Sequence, residues 1–322
     1  MKSNIKKLIS CMGAVLLLAI VLTACVIATH PWEKIHNITY SYQEYPLERN
    51  GINLHLDSVV ADNSKPMKSI LLIHGVTYSS HEFDIDYEDY SLVRFLARSG
   101  YAVWRLDITG FGQSGEVENG FIPDSDYAAE DICAAVEKIC EITEQEKIDL
   151  LGWSWGTVTA SRFVAAHPEN INRLVLYAPI LSGVGNVDVT EPFHHNTWEH
   201  AADDFQKNED GSFDYTKTDP VVIEMLCSSS WHYDGEKSPN GGRRDICVDE
   251  SRLLIDLTKI TVPTLVICGD NDPYLNYDLV NKVLDYLPTG SELKMIKGAS
   301  HVAYIEKPYH RDFQDELISF LD

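Results

Sequence analysis

The chain has 322 residues, with 49 acidic side chains against 26 lysines and arginines, a formal net charge of −23 at pH 7. That charge argues against nucleic acid and against an anionic membrane face as partners, and it reads chiefly as a solvated acidic surface. The length suits one large α/β domain carrying an insertion.

Lys2, Lys6 and Lys7 open the chain, and Leu8 to Thr29 then carries no charge and is mostly apolar. Leu22-Thr23-Ala24-Cys25 has the form of a bacterial lipobox, small residues ahead of a cysteine that is lipidated after cleavage. Residues 1–25 are therefore read as a lipoprotein-type signal peptide with lipidation at Cys25. An uncleaved membrane anchor and a plain secretory signal are the other readings, because the uncharged run is just long enough to span a bilayer. All three keep the lysines on the cytoplasmic side and carry the rest of the chain outside the cytoplasm, either anchored to a bacterial cell membrane or secreted.

Ile38–Tyr42 and Ile52–Leu56 alternate like two antiparallel strands, with Asn50-Gly51 close to the turn between them. From there strands and helices alternate, which predicts a mostly parallel sheet with helices on its faces. Ser69–Ile73 is a buried strand ending in His74-Gly75. Tyr90–Ser99 is an amphipathic helix, and Tyr101–Leu106 the next strand, running into Asp107-Ile108-Thr109-Gly110-Phe111-Gly112-Gln113-Ser114. Asp124, Ser125 or Asp126 caps a helix carrying Ile132, Val136 and Ile139. Ile148–Leu151 and Arg173–Tyr177 are further strands. Regular order lapses over residues 182–255 and resumes at Val262–Gly269. A helix near Tyr277–Leu287, a strand at Glu292–Ile296 and a last helix from Pro308 to Leu321 complete the chain. The expected organisation is thus a core of residues 26–181 and 256–322 with an insertion at 182–255.

Chemistry concentrates at Gly152-Trp153-Ser154-Trp155-Gly156, which lies between an apolar strand and a helix stopped by Pro168. A G-x-S-x-G run in that setting is a nucleophile elbow, a strained turn that lifts a serine hydroxyl clear of the end of a sheet. The turn is so tight that a side chain at 152 or 156 would collide with the adjacent strand or helix. It also aims the backbone N–H of Trp155 at the space beside the Ser154 hydroxyl, where an oxyanion would form.

With Leu72-Ile73-His74-Gly75, the Asp107-to-Ser114 turn, the elbow and a late Asp and His in this order, the chain resembles the α/β-hydrolase superfamily over nearly all of residues 38–322. It is similar to the serine-nucleophile branch with a single lid insertion, which holds many esterases and proline-iminopeptidase-like enzymes. The resemblance implies the order Ser, acid, His. Asp270 and Asp272 both follow the strand ending at Gly269; the family spacing Gly-x-x-Asp selects Asp272 and leaves Asp270 as a turn former. The histidine is then His301 in Lys297-Gly298-Ala299-Ser300-His301, with His310 on the surface of the last helix. Ser154 would be the nucleophile, His301 its base, and Asp272 the group that fixes the imidazole tautomer. The oxyanion donors would be the N–H groups of Trp155 and, after His74-Gly75, of Val76; His74 itself reads as structural. The insertion would form a lid over Ser154, its aromatics (Phe193, Trp198, Phe205, Tyr215, Trp231, Tyr233) lining the pocket or packing the lid's own core.

The implied activity is that of an extracytoplasmic serine hydrolase acting on a small-molecule ester or amide, read first as a carboxylesterase. Aminopeptidase or amidase and acyltransferase activity on the same fold are the catalytic alternatives, and a non-catalytic surface binding protein is the alternative of another class. No cofactor and no metal is expected, because no cysteine–histidine spacing reads as a zinc site. Cys133 and Cys140, seven apart on a helix, are too distant to bridge; Cys227 and Cys247 could pair in an oxidising compartment.

Overall fold

The computed structural model describes residues 38–322 apart from Asn63. Residues 1–25, read above as a lipoprotein-type signal ending at Cys25, lie outside the described residues, and among those described no helix is long and apolar enough to cross a membrane.

Among the described residues ten strands occur in chain order: β1 Tyr40–Arg49, β2 Ile52–Ala61, β3 Lys68–Ile73, β4 Tyr101–Leu106, β5 Ile148–Trp153, β6 Ile171–Tyr177, β7 Phe193–His195, β8 Lys237–Pro239, β9 Thr264–Gly269 and β10 Glu292–Ile296. Seven α-helices accompany them: α1 Leu92–Arg98, α2 Ser125–Thr143, α3 Trp155–Ala166, α4 Pro220–Tyr233, α5 Gly241–Ile246, α6 Tyr277–Val280 and α7 Tyr309–Leu321. Eight strands form one sheet in the order β1-β2-β4-β3-β5-β6-β9-β10. The pairs β1/β2 and β2/β4 are antiparallel and the rest parallel. The first two strands run further than their apolar alternation suggested, meeting at the Asn50-Gly51 turn.

Strand side chains alternate between the two faces, as the two-residue period requires. Leu71, Ile73, Leu150, Leu174, Leu176, Val266 and Cys268 face one apolar layer, which α2 and α3 cover with Ile132, Val136, Val158 and Phe163. Ile70, Leu72, Leu151, Val175, Tyr177, Leu265 and Ile267 face the other, covered by Leu92 and Leu96 of α1 and by Phe313, Leu317 and Leu321 of α7. Both faces are dry, so the parallel strands read as apolar runs. Each of these fully buried side chains contributes about 1.5–3 kcal/mol. The fold is the α/β-hydrolase fold. Its crossovers bring the C-terminal ends of β3, β5, β9 and β10 to one edge, where His74, Ser154, Asp272 and His301 follow their strands.

Two expectations are corrected. The stretch after Asn276 is not one helix: α6 ends at Val280, Lys282 leaves the helical region at φ −114° and ψ 3°, and a 3-10 turn follows at Val283–Asp285. His310 is buried, not superficial; its Nε2 lies 3.0 Å from Asp89 Oδ1 and its Nδ1 3.3 Å from Glu306 O. Cys133, Cys140, Cys227, Cys247 and Cys268 are free thiols.

The segment 182–255 leaves after β6 and returns before β9. Its ends run together as an antiparallel stem, with a bridge from Ser182 to Leu253 and bonds from Gly183 N to Arg252 O (3.0 Å) and from Leu254 N to Leu181 O (2.9 Å). Between them lie the β7–β8 pair, α4 and α5. The segment is tied to the core through Asp234, which caps α4 and accepts from Ser79 N (3.1 Å), Ser79 Oγ (3.0 Å) and Gly112 N (3.0 Å).

Candidate active site

Ser154 sits between β5 and α3 at φ 55° and ψ −121°, a conformation that costs an L-residue about 1–3 kcal/mol and persists only where its surroundings enforce it. Here they do. The N–H of Ser154 is held by Tyr177 O at 3.0 Å and its carbonyl accepts from Thr157 N at 2.9 Å. The flanking glycines permit the close approach: a Cβ at 152 would overlap the Gly156 carbonyl, and one at 156 would stand 2.5 Å from Ile73 O. Trp155 is the first residue of α3, so its N–H has no acceptor within the helix and is available for a developing anion. Val76 follows Gly75, whose Cα lies so close to the elbow that a Cβ there would be 3.3 Å from Ser154 Cβ.

The loop carrying Val76 is braced from below. His74 Nδ1 lies 2.8 Å from Gly75 O and its Nε2 accepts from Ile108 N at 3.1 Å. One nitrogen must donate and the other accept, which is the neutral ring; burial lowers its pKa accordingly. Gly75 N donates to Glu82 Oε1 at 3.2 Å. Asp107, from the glycine-rich turn after β4, accepts from Ser80 N at 2.9 Å and from Gln113 N at 3.0 Å, joining the two loops.

Asp272 and His301 meet at 2.7 Å, Oδ2 to Nδ1, both essentially buried at 1% and 2% exposure. Tyr274 N donates to Asp272 Oδ1 at 2.9 Å, so both carboxylate oxygens are committed. The backbone of His301 is pinned by Tyr177 Oη and Trp153 Nε1, which donate to its carbonyl at 2.7 and 3.2 Å, and Ser300 N is held by the buried Glu306 at 2.8 Å. Burial pulls the His301 pKa down, but the adjacent Asp272 carboxylate outweighs it and leaves the value above the ordinary 6.5. With Nδ1 committed to Asp272, Nε2 is the ring nitrogen open to proton transfer. Asp270 is exposed and accepts from Gly298 N, on the other side of the turn.

Ser154, Val76 and His301 line one cavity of roughly 280 Å³. The inserted segment supplies His200, Asp203, Asp204, Leu226, Arg243 and Cys247 to its wall, and Tyr78, Trp153 and Tyr274 come from the core. The aromatics of the insertion are absent from this wall; Trp198, Tyr215 and Trp231 are exposed and Phe205 is buried. Glu82, Tyr274 and Arg243 are wall residues that no motif spacing announced. Among the described residues, His55, His81 and Asp107 bring ligand atoms within 4.8 Å of one another, but none of them lines the cavity, and Asp107 already accepts from Ser80 N, Ser80 Oγ and Gln113 N.

The match to the family described as serine aminopeptidase, S33, runs over residues 64–308, about three quarters of the chain. The chain belongs to that family. The proteins and structures it is similar to carry varied names. A non-heme chloroperoxidase from Burkholderia pyrrocinia is 26% identical over 262 residues, 74% of this chain and 86% of that protein. A pimeloyl-[acyl-carrier protein] methyl ester esterase from Aeromonas hydrophila is 36% identical over 83 residues, 25% of this chain and 28% of that protein. The crystal structure of a carboxylesterase from Bacillus subtilis superposes with a TM-score of 0.56 at 16% identity, covering 90% of this chain and 94% of that one, a likeness of fold. The S33 chain described here is a serine hydrolase of this superfamily.

Proposed function

We propose that the protein is a carboxylesterase that works through an acyl-enzyme on Ser154. The observation that carries the reading is the 2.7 Å bond between buried Asp272 and His301, with His301 and Ser154 on the wall of one cavity. In this reading Ser154 Oγ attacks the ester carbonyl carbon while His301 Nε2 takes its proton. The N–H groups of Trp155 and Val76 stabilise the oxyanion. The alcohol leaves with the proton held by His301, and a water activated by the same nitrogen releases the acid. Residues 182–255 act as the lid that closes the cavity. The lipobox sequence supports a protein anchored outside the cytoplasm through lipid on Cys25.

The family description favours an aminopeptidase as the second reading, in which lid carboxylates would hold a substrate amine. Asp203 and Asp204 line the cavity, but Asp203 is paired with Lys207 at 3.0 Å, and the Arg243 guanidinium on the same wall opposes a substrate ammonium group beside Asp204. An ester, which needs no such counter-charge, therefore fits better. Parallel turnover of short-chain methyl or p-nitrophenyl esters and of aminoacyl anilides separates the two. Ester hydrolysis is expected to dominate, and efficient anilide cleavage with no ester turnover would contradict the proposal.

A further inference from the structure

α5 begins Gly241-Gly242-Arg243. A Cβ at 241 would lie 2.6 Å from Pro123 O, and one at 242 would overlap the Trp155 ring. Gly241 thus lets this short helix of the inserted segment press against the Pro123–Asp124 backbone, and Gly242 lets it lie directly on Trp155, the residue after Ser154. The next residue is an arginine, and it lines the catalytic cavity.

Arg243 is half-buried, and among the described residues of the wall it is the only lysine or arginine. Its two hydrogen bonds go to neutral acceptors, Nη1 to Asn240 Oδ1 at 2.9 Å and Nη2 to Thr77 Oγ1 at 2.6 Å. A guanidinium has five N–H donors, so most of its capacity is unspent. Among the described residues no carboxylate stands within ion-pair distance of it. The acids on the same wall have other work: Asp203 on Lys207, Asp204 on Tyr274, and Glu82 on Gly75 N with its own pKa pushed up by burial. The facing histidines, His200 and His194, are held towards the neutral state by burial and by Arg243 itself. A cation drawn out of water without a counter-charge is costly. A ligand anion supplies what the protein does not.

We propose that Arg243 is the specificity residue of the cavity and that the natural substrate is an ester bearing a carboxylate a few atoms from the scissile carbonyl. The inference rests on the esterase reading of Ser154. A carboxylate suits the planar fork of a guanidinium, which offers paired parallel donors. The long-range repulsion of an acidic protein is screened within about 8 Å at physiological salt, whereas a bond formed inside the cavity is screened far less. The bond to Thr77 sets the guanidinium beside the loop that carries Val76, close to where the carbonyl oxygen would sit.

The test compares two pairs of near-isosteric esters by release of alcohol or acid. Monomethyl succinate against methyl valerate places the carboxylate on the acyl side; O-acetylglycolate against propyl acetate places it on the alcohol side. The wild-type protein is expected to favour the charged member of at least one pair by about 10- to 100-fold in kcat/KM, the range of a hydrogen bond to a charged group. Arg243→Gln should bring that ratio to about one, because the charged ester loses far more than the neutral one. Arg243→Lys should retain part of the preference as a point charge without the fork. A wild-type protein that prefers neither charged ester overturns the inference without reference to any variant. So does an Arg243→Gln variant, melting like the wild type, in which both members of a pair fall equally, since that marks a brace for the Thr77 loop. Failure of the esterase reading is distinct: neither neutral ester turns over and a fluorophosphonate does not label the protein.

Discussion

Replacing Asp272 by asparagine leaves the shape of the site and inverts its proton arrangement. In the wild type, Oδ1 accepts from Tyr274 N at 2.9 Å and Oδ2 meets His301 Nδ1 at 2.7 Å. Tyr274 N–H can donate only to the oxygen of an asparagine, so the amide NH₂ must take the Oδ2 position and face the ring. It then donates to Nδ1, which forces the ring proton onto Nε2, the nitrogen that has to accept from Ser154. The positive charge formed on His301 in the transition state also loses its buried partner. The same exchange in serine proteases costs about 10⁴ in kcat, or roughly 5 kcal/mol at 1.36 kcal/mol per decade. A loss of about 10³- to 10⁴-fold is expected here. Asp270→Asn keeps an oxygen for Gly298 N and sits in solvent, so it should stay within about twofold of wild type, as exposed substitutions do. Both variants are assayed on one ester, with thermal melts to confirm folding. A crippled Asp270→Asn beside a near-normal Asp272→Asn would refute the reasoning.

The pH profile follows from His301. The ring must be neutral to accept a proton and its folded-state pKa is raised above 6.5, so kcat/KM should rise with pH through a limb lying above 6.5; a limb below 6.5 would contradict the Asp272 contact. Asp234, the tie between α4 and the core, has its pKa raised to about 7, chiefly by burial and then by Asp107. A raised carboxyl pKa gives stability that is complete below the unfolded value near 3.8 and is lost as pH rises through about 7. The stability gap between wild type and Asp234→Asn, from denaturant melts, should therefore narrow between pH 5 and 8, by at most about 1.4 kcal/mol per pH unit; a gap that is constant or widens would contradict it.

What could be read from the sequence was what is local in it. The elbow is legible because two glycines, a serine and the flanking strand and helix lie within a few residues, and the overlaps that exclude side chains at 152 and 156 are overlaps with the turn itself and with the neighbouring strand. The three-residue step from Gly269 separates Asp272 from Asp270 for a similar reason, since the strand end decides which carboxylate turns back. The burial of His310 was not legible, because its partner Asp89 is 221 positions away and an amphipathic pattern does not report such a pairing. Nor was the position of Arg243, which reaches Thr77 across 166 residues after an insertion with little periodicity. The aromatics of that insertion were a poor guide, since the wall it contributes holds none of them and includes His200, Asp203, Asp204, Leu226, Arg243 and Cys247.

The central claim is that Ser154 is an activated nucleophile in the cavity it shares with His301. Reaction of the purified protein with a fluorophosphonate, followed by peptide mapping, tests it most directly. The account predicts stoichiometric labelling on the peptide holding Ser154, loss of labelling in Ser154→Ala, and strong reduction in His301→Ala. Unreactive, well-folded wild-type protein, or undiminished labelling of Ser154→Ala, would contradict it.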